Sequence, residues 1–449
     1  MNLPEQYTER MQQLLKTDMP KYLAALSMPP VSAIRINPLK SNNNVYSAFG
    51  ASKKISFADN GYIISSSKIG KHPYHIAGAV YVQEPSSMLP VIASELNQEQ
   101  NKQLKVLDLC AAPGGKSGQI AEILAGAGVL VSNEIDKKRA RILQGNIERM
   151  GYTNVIITSA SPAELSKDLC GQFDYIFADC PCGGEGMFRK DPATIAEWKL
   201  ERIMSNQKRQ KEILSEADKM LKQNGKLIYS TCTFAPEEDE QVAEWFAQTF
   251  GYKMLPVPQS IQNVTTYLNN PCCRRFYPFL ADGEGQFVCV MQKQSPAVEQ
   301  IRPYKEYQIG RTEKQILDDF LNNNFNLPFE PKYAKIGENY CIINQNLQNL
   351  MPFLQKLPVV NVGVTVGSID KKRLISHNNI FSSFGAFAKN KLSFSADSPL
   401  LFKYLHGEVL PNNQNFVGYV CIMADGLAIG GAKATGAELK NHFPKGLRI

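Results

Sequence analysis

The sequence predicts an α/β protein whose central domain is a doubly wound parallel sheet. Short apolar runs alternate with amphipathic helical segments between about residues 104 and 292, which is typical of that fold. A glycine-rich turn directly follows the first apolar run, at the place where such sheets bind ligands. After residue 304 the amino-acid composition changes to asparagine-rich patches, short β-like runs and a basic C-terminal segment. We therefore expect a small N-terminal α/β module, the central domain, and one or two C-terminal modules.

The apolar runs of the central domain predict its strands in order. The expected strands are 104–109, 128–133, 155–158, 173–179, 225–231 and 286–292. The expected helices are about 116–125, 136–150, a long stretch to about 222, and 237–250. In the helix over 136–150, apolar spacing predicts that Ala140, Ile142, Leu143 and Ile147 face inward.

The outer parts of the chain are predicted from weaker patterns. Residues 4–26 form one expected amphipathic helix, and residues 31–40 contain a short strand ended by Pro38. The predicted boundaries are 1–75 for the N-terminal module, 76–295 for the central domain and 305–449 for the C-terminal region. Residues 293–304 are expected to form a linker.

The net charge of +7 over 449 residues is concentrated at one end of the chain. Residues 1–330 hold 36 basic and 36 acidic side chains, whereas residues 331–449 hold 13 basic and 6 acidic ones. A basic terminal region on a neutral body indicates a polyanionic partner, most commonly nucleic acid. A merely solvated surface explains the charge equally well.

Composition argues against several classes of protein. No apolar run approaches the ~18–20 residues of a membrane span, and the first residues lack the basic and apolar segments of a signal peptide. We therefore expect a cytoplasmic protein whose 10 cysteines are reduced. No CxxC pairs occur and the 5 histidines are scattered, so no metal site is expected.

The turn over residues 108–117 (DLCAAPGGKS) carries the first functional signal. Gly114 and Gly115 allow the backbone to approach a ligand closely. The last three residues of the turn, Gly115 to Ser117, match the end of a phosphate-binding P-loop, but Cys110 stands where a P-loop has its first glycine. The GxGxxG pattern of dinucleotide-binding sites is absent. S-adenosylmethionine (SAM) fits better, because Glu134 supplies an acid for the ribose at the tip of the second strand. A purely structural turn is the remaining alternative.

Four motifs give the chain a family resemblance. The turn resembles the SAM turn of the Nop/Sun family of RNA cytosine-5 methyltransferases. Residues 81–88 (YVQEPSSM), 179–186 (DCPCGGEG) and 230–233 (STCT) resemble further motifs of that family. Residues 439–448 (LKNHFPKGLR) are similar to the end of bacterial members that methylate 16S ribosomal RNA. The resemblance implies a Rossmann-like SAM-dependent methyltransferase core and a PUA-like RNA-binding module at the C-terminus.

The resemblance also implies a set of cofactor-binding residues. They are Cys110, Ala111, Ala112, Pro113, Gly114, Gly115 and Lys116 of the turn, together with Glu134 and Asp179. Many relatives carry a further acid that contacts the adenine amine. The matching position here holds Ser161, which can accept a hydrogen bond but provides no carboxylate.

The chemistry of the implied reaction requires an activated cysteine. Cytosine C5 becomes nucleophilic only when a thiolate adds to C6, and the thiolate must later be expelled. Cys182 and Cys232 end neighbouring predicted strands. In the resembled family the TC cysteine is the nucleophile, here Cys232, and the PC cysteine assists release, here Cys182. DNA cytosine-5 methyltransferases instead attack with their PC cysteine, and for each cysteine alone a buried structural thiol is the ordinary alternative.

Asp179 is the third expected catalytic residue. It ends the predicted fourth strand beside the SAM pocket and can hydrogen-bond the cytosine N3 or the exocyclic amine. A neutral Asp179 at N3 would stabilise the addition intermediate and would need a pKa raised by burial. A strand-end aspartate is otherwise often a helix cap.

Three groups of basic and aromatic residues are candidates for RNA contact. They are Phe188 to Lys190, Arg274 to Tyr277, and a C-terminal set of Lys371, Lys372, Arg373, Lys440, Lys445 and Arg448. Ordinary solvated charges are the alternative for the first two, and the second segment is expected to shape the RNA cleft or the core and not to perform chemistry.

These observations lead to a specific expectation about function. The protein is expected to be a monomer that methylates cytosine C5 of 16S ribosomal RNA, in the small subunit near the decoding region. The rRNA target follows from the resemblance and from the C-terminal arrangement. A tRNA-modifying member of the same family, or a ribosome-assembly factor that binds RNA without catalysis, remains an alternative.

Overall fold

Four β-sheets and their flanking helices make up the described part of the chain in this computed structural model. The structure describes residues 2–42, 44–65, 69–99, 102–302 and 308–449. Residues 303–307, where the predicted linker ends and the predicted C-terminal region begins, lie outside the described residues. Within the described ranges, no helix has both the length and the apolar character needed to cross a membrane.

The N-terminal part combines four helices with a small antiparallel sheet. Its elements are α1 (Glu5–Leu15), α2 (Met19–Leu26), β1 (Ala33–Ile36), α3 (Asn44–Ala48), β2 (Ala51–Lys54), β3 (Gly61–Ile64), α4 (Pro73–Ile76) and β4 (Val80–Val82), with sheet order β2-β3-β1-β4. The single helix expected over 4–26 is wrong. Lys16 has a left-handed φ of 49°, which starts a 3₁₀ turn and separates α1 from α2.

The central sheet confirms the doubly wound prediction. Its elements are α5 (Leu89–Ala93), β5 (Lys105–Asp108), α6 (Gly115–Ile123), β6 (Val129–Asn133), α7 (Lys137–Met150), β7 (Val155–Thr158), α8 (Pro162–Asp168), β8 (Phe173–Asp179), α9 (Ala193–Glu197), α10 (Leu200–Met220), β9 (Leu221–Thr231), α11 (Glu240–Phe250), β10 (Tyr252–Leu255), α12 (Gln259–Gln262), β11 (Cys273–Phe276) and β12 (Gln286–Lys293). The sheet order is β10-β12-β9-β8-β5-β6-β7, and β11 also pairs with β12. Strands β5 to β9 run parallel, whereas β12 is antiparallel to β9.

Burial on both faces of the sheet explains the apolar strands. On β5, Val106 packs into one hydrophobic cluster and its neighbour Leu107 into another, and both are fully buried. On α7, Ala140, Leu143 and Ile147 face the sheet as expected, but Ile142 is 55% exposed. The prediction for Ile142 is wrong because its position lies off the stripe that the other three residues form at spacings of three and four.

The C-terminal part contains two further sheets. Its elements are α13 (Arg311–Asn324), β13 (Lys332–Ile336), β14 (Asn339–Ile343), α14 (Gln345–Leu354), β15 (Val359–Val362), β16 (Val364–Asp370), β17 (Arg373–Ser376), α15 (Asn378–Phe384), β18 (Lys391–Phe394), α16 (Pro399–His406), β19 (Leu410–Pro411), β20 (Tyr419–Ala424), β21 (Leu427–Thr435) and β22 (Glu438–Asn441). One sheet has the order β13-β14-β16-β17, and the other has the order β18-β20-β21-β22-β19. Two β-rich modules therefore follow the central domain.

Strand β15 joins the C-terminal part to the central sheet. It pairs antiparallel with β7, with Asn361 opposite Ile157 and Val362 opposite Ile156. The pairing covers what would otherwise be the open edge of the sheet at β7. Sequence patterns did not predict this strand, because an edge pairing depends on a partner about 200 residues away in the chain.

The C-terminal end of α7 is the point where the three parts of the chain meet. The ammonium group of Lys40, from the N-terminal part, donates to the carbonyl oxygen of Arg149 at 3.1 Å. The hydroxyl of Ser382, from the C-terminal part, donates to the carbonyl oxygen of Glu148 at 2.7 Å. Donors from both flanking parts thus bind carbonyls in the last turn of the helix. Because α7 starts beside Glu134, it connects this junction to the candidate site.

Candidate active site

The turn after β5 is shaped by one glycine with left-handed backbone geometry. Gly114 has φ 110° and caps α6, and a Cβ built on it would lie 2.9 Å from Leu143 Cδ1. An L side chain would therefore be strained and crowded at this position. Helix α6 starts at Gly115, so its first backbone N–H groups are free to bind an anionic ligand group.

Neighbouring strands and helices hold the turn in place. The Ala111 backbone N–H donates to the Asn133 carbonyl at 2.8 Å. The Arg139 guanidinium donates to the Ala112 carbonyl at 2.8 Å. The tips of β5 and β6 and the first turn of α7 thus form one connected rim, as expected where a doubly wound sheet binds its ligand.

Glu134 stands at the tip of β6 with its side chain almost wholly buried. Its Oε1 accepts a hydrogen bond from the Asp136 backbone N–H at 3.0 Å, and its Oε2 lies 3.2 Å from Arg139 Nη1. These contacts fix the direction of the carboxylate. Since Glu134 also lines the main cavity, it can accept hydrogen bonds from a ribose there.

A cavity of about 1080 Å³ brings the predicted residues together. Of the predicted site residues, its lining includes Cys110, Ala112, Glu134, Asp179, Cys182 and Cys232. Ala111, Pro113, Gly114, Gly115 and Lys116 are not among the lining residues, and they shape the turn or support Asp179 instead. The volume and the carboxylate of Glu134 fit SAM.

Ser161 also lines this cavity, but it has a structural role. Its hydroxyl accepts a hydrogen bond from the Glu164 backbone N–H at 3.3 Å, and Glu164 returns the contact to the Ser161 backbone N–H at 2.7 Å. This reciprocal pair is a capping box that starts α8.

The two candidate cysteines lie side by side at the ends of β8 and β9. Their Sγ atoms are 3.4 Å apart, and the Cys232 backbone N–H points at Cys182 Sγ at 3.3 Å. The hydrogen bond with Cys232 and burial both raise the pKa of Cys182 well above its ordinary value. Cys182 is therefore a protonated thiol at neutral pH, next to a second, partly exposed thiol.

Asp179 is surrounded by hydrogen-bond donors. Lys116 Nζ lies 2.8 Å from its Oδ2, and its Oδ1 accepts from Ser230 Oγ at 2.7 Å and from Gln286 Nε2 at 3.1 Å. Burial disfavours the Lys116 ammonium, but the charge and hydrogen bond of Asp179 outweigh it, so the pKa of Lys116 is raised. In each of these contacts Asp179 is the hydrogen-bond acceptor, which is the role that a contact with the exocyclic amine of cytosine requires.

Glu238 is a site residue that sequence reasoning missed. Both carboxylate oxygens accept from the Gly183 backbone N–H at 3.1 Å, and Gln210 Nε2 donates to Oε2 at 2.8 Å. Burial raises the pKa of Glu238 to about 8. The group anchors the loop that carries Cys182. In the sequence it lies in a run of acids before α11, where a solvated helix start is the ordinary expectation.

Glu185 provides a second brace for the catalytic loops. It accepts from Trp198 Nε1 at 2.7 Å and from the Phe234 backbone N–H at 2.9 Å, so it links the loop after β8 to the loop after β9. Both cysteine loops are thus fixed by buried carboxylates, which favours a preorganised site.

The two central clusters proposed for RNA contact belong largely to the core. Arg275 is 1% exposed and lies 3.3 Å from Asp239, and Arg189 is paired with Glu284 at 2.8 Å. Phe188 is fully buried. A cation that is buried and paired inside the protein cannot neutralise an RNA phosphate, so the RNA interpretation of these residues is wrong.

The C-terminal candidates are placed differently. Lys371, Lys372, Arg373, Lys440 and Lys445 are exposed, whereas Arg448 is half-buried and donates to the Phe443 carbonyl at 3.3 Å. Among the described residues, no group of three or more His, Cys, Asp or Glu side chains is arranged to hold a metal ion.

Comparison with family models matches three parts of the chain. Residues 93–292 match the 16S rRNA methyltransferase RsmB/F model, residues 3–85 match the N-terminal domain of 16S rRNA methyltransferase RsmF, and residues 391–449 match the RsmF PUA domain. The three matches do not overlap and together cover most of the sequence.

Similar proteins and solved structures agree with these models. Ribosomal RNA small subunit methyltransferase F of Vibrio cholerae is 28% identical over 465 residues, covering 100% of this chain and 98% of that protein. The Shewanella sediminis protein of the same name is 27% identical, covering 96% and 93%. A methyltransferase homologue from Pyrococcus horikoshii has a TM-score of 0.56 and 28% identity, covering 65% of this chain and 95% of that chain. The NSun6 structure from Pyrococcus horikoshii with SFG has a TM-score of 0.57 and 19% identity, covering 65% and 98%, and shows the fold alone.

Proposed function

We propose that this chain, which belongs to the RsmB/F family of 16S ribosomal RNA methyltransferases, methylates cytosine C5 near the decoding region through a covalent bond between Cys232 and C6. It is a SAM-dependent RNA methyltransferase with a Rossmann-like core and a C-terminal PUA domain. The observation that carries the proposal is the pair of thiols, 3.4 Å apart, at the rim of the cofactor cavity.

The residues around the cavity account for cofactor binding. Bound SAM supplies the methyl group. Glu134 would hold the ribose hydroxyls, because its fixed carboxylate is an acceptor at the tip of β6. The free N–H groups at the start of α6, behind Gly114 and Gly115, would hold the carboxylate of the methionine end.

Cys232 is the proposed nucleophile, and Cys182 is the proposed aid to release. In the first step the Cys232 thiolate adds to cytosine C6, and C5 gains the electron density to take the methyl group. In the second step a solvent base takes the C5 proton, the electron pair of the C5–H bond restores the C5–C6 double bond, and the Cys232–C6 bond breaks to release the thiolate. Cys182 supports this division of roles because its thiol keeps its proton and touches Cys232.

Asp179 and Lys116 are the proposed groups that orient the target base. The Asp179 carboxylate, held by Lys116 and Ser230, would accept a hydrogen bond from the exocyclic amine of cytosine. Uracil has a carbonyl oxygen at that position and cannot donate. The contact therefore selects cytosine, because a mismatched base would leave a desolvated carboxylate unpaired.

The target is tested by methylation of defined RNAs. Purified protein with labelled SAM should label 16S RNA, offered either naked or in 30S subunits, at C5 of cytosine. Label on tRNA alone would identify a tRNA-modifying enzyme, and no label on any RNA would favour an assembly factor. Mapping 5-methylcytosine in ribosomal RNA from cells with and without the gene would identify the modified position.

The remaining features of the proposal concern the state of the protein. We propose that it acts as a monomer in the cytoplasm, without a metal ion or a membrane. Light scattering at assay concentration should give a mass near 50.0 kDa. Methylation should be insensitive to metal chelators, and a loss of activity with chelator that added metal restores would contradict this part.

A further inference from the structure

The turn between β16 and β17 holds two lysines in left-handed backbone geometry. Asp370 pairs with Arg373 across the hairpin, so the loop consists of Lys371 and Lys372 alone, with φ values of 44° and 64°. A two-residue hairpin of this kind needs positive φ at both positions, which asparagine, aspartate and glycine adopt most readily. Lysine has no such preference, so the turn is built from residues that its geometry disfavours.

Another hairpin in the same chain makes this turn with the favoured residues. Between β20 and β21, Ala424 pairs with Leu427, and the loop is Asp425-Gly426 with φ values of 44° and 82°. The two loops have the same length and closely similar φ values. Backbone geometry therefore does not account for lysine in the first hairpin, and the reason must lie in the side chains.

The side chains at this turn form a small positively charged patch on the surface. We call Lys371, Lys372 and Arg373 the basic tip. All three residues are exposed, and within the described parts of the chain none of them lies within 4.0 Å of a carboxylate oxygen. Three adjacent cations repel one another, and a polyanion would remove that repulsion. A polyanionic partner would thus offset the charge repulsion that these side chains add to the backbone strain of the turn.

We propose that the basic tip binds the phosphate backbone of the substrate RNA. The proposal rests on the proposed function, since it takes the substrate to be RNA. The tip lies between the matches to the core and PUA models, at residues 93–292 and 391–449, so it would be an RNA contact outside both matched segments. Phosphate contacts of this type position an RNA without reading its sequence.

The experiment replaces the turn by the residues its geometry favours. In Lys371→Asn/Lys372→Gly, relief of the backbone should raise the midpoint of thermal unfolding. The Kd for a full-length 16S RNA transcript should increase about tenfold at physiological salt, and the slope of log K against log salt should fall by about 1.4 for two lost contacts. A more stable protein that binds RNA more weakly is a combination that general damage to the fold cannot produce.

Two control variants separate charge from backbone geometry. Lys371→Arg/Lys372→Arg keeps both charges and should keep the RNA affinity and the salt slope. Lys16→Gly relaxes another exposed lysine with positive φ, between α1 and α2, and should leave RNA binding unchanged.

An unchanged Kd and salt slope in Lys371→Asn/Lys372→Gly would overturn the proposal. If the same variant also lost binding to anionic lipid vesicles, the basic tip would be assigned to a membrane surface instead. Failure of the proposed function is recognised separately, because the wild-type protein would then fail to methylate 16S RNA whatever the tip does.

Discussion

The Sγ atoms of Cys182 and Cys232 lie 3.4 Å apart although 50 residues separate them in the chain. They meet because β8 and β9 run parallel and adjacent, with Asp179 opposite Ser230 in the register. The same register places the Asp179 carboxylate, proposed to orient the base, 2.7 Å from the Ser230 hydroxyl on the strand that precedes Cys232, the proposed nucleophile. One strand pairing therefore assembles the three groups that the proposed reaction needs.

The two cysteines should fail in different ways when substituted. Cys232→Ala should abolish methylation and give no covalent complex, because no thiol then adds to C6. Cys182→Ala should lower turnover by about 10²–10⁴-fold, the range for loss of a proton-transfer group, and should trap an RNA adduct through Cys232. A denaturing gel with labelled RNA measures the adduct.

The double variant Cys182→Ala/Cys232→Ala is the control and should form no adduct. Full turnover by Cys182→Ala without an adduct would show that Cys182 has no part in release. Methylation by Cys232→Ala at the wild-type rate would show that the nucleophile lies elsewhere.

Ionisation of Glu238 should make the protein less stable as pH rises. Its folded pKa is raised to about 8 from an ordinary value of 4.5, so the folded protein binds more protons than the unfolded chain between these values. Stability is then complete below about pH 4.5 and declines up to about pH 8, at no more than about 1.4 kcal/mol per pH unit for this group. Urea unfolding measured across this range should show a flatter dependence for Glu238→Gln.

Glu201→Gln, on the exposed side of α10, is the matched control and should keep the wild-type pH dependence. An identical slope for Glu238→Gln and the wild type would mean that Glu238 is ionised in the fold at neutral pH.

Gly114 should tolerate no side chain. Gly114→Ala should lower stability by about 1–3 kcal/mol, since φ is 110° and the added Cβ would lie 2.9 Å from Leu143. SAM affinity, measured by calorimetry, should also fall because the turn must shift. In Gly145→Ala, on α7, the added Cβ meets no atom within 4 Å, and this change should stabilise by about 0.5–1 kcal/mol. Equal effects of the two substitutions would contradict this account of the turn.

Arg275 should matter for folding and not for RNA binding. Arg275→Met leaves the carboxylates of Asp239 and Glu240 buried without their cation, which should cost about 3–5 kcal/mol in urea unfolding. Lys190→Met, at an exposed position, should change stability by less than about 0.5 kcal/mol. A stable Arg275→Met protein with a reduced salt slope for RNA binding would instead restore the RNA interpretation.

Local patterns predicted the central domain well because its strands are buried on both faces. Continuous apolar runs, such as the one that forms β8, are recognisable without knowledge of their partners. The predicted helix over 136–150 is confirmed as α7, which Asp136 caps by accepting from the backbone N–H groups of Lys138 and Arg139. The prediction of one helix over 4–26 overlooked Pro20, which lies in the first turn of α2 and is typical of a helix start.

Clusters of charged residues were less informative than apolar runs, because the sequence does not show which group each charged side chain pairs with in the folded protein. Arg275 and Lys371 look alike as members of basic clusters. The fold buries the first against Asp239 and leaves the second at an exposed turn. Burial and pairing, which decide whether a cation can meet RNA, are properties of the folded chain.

The sequence by itself determined the doubly wound core, the position of the cofactor turn and the identity of the two cysteines, because each depends on residues that are close together in the chain. Only the tertiary structure decided that Cys182 touches Cys232, that Glu238 anchors the loop that carries Cys182, and that β15 completes the central sheet. These relationships join residues far apart in sequence. They exist only once the strands are packed, since a contact between distant segments has no local signature in composition or periodicity.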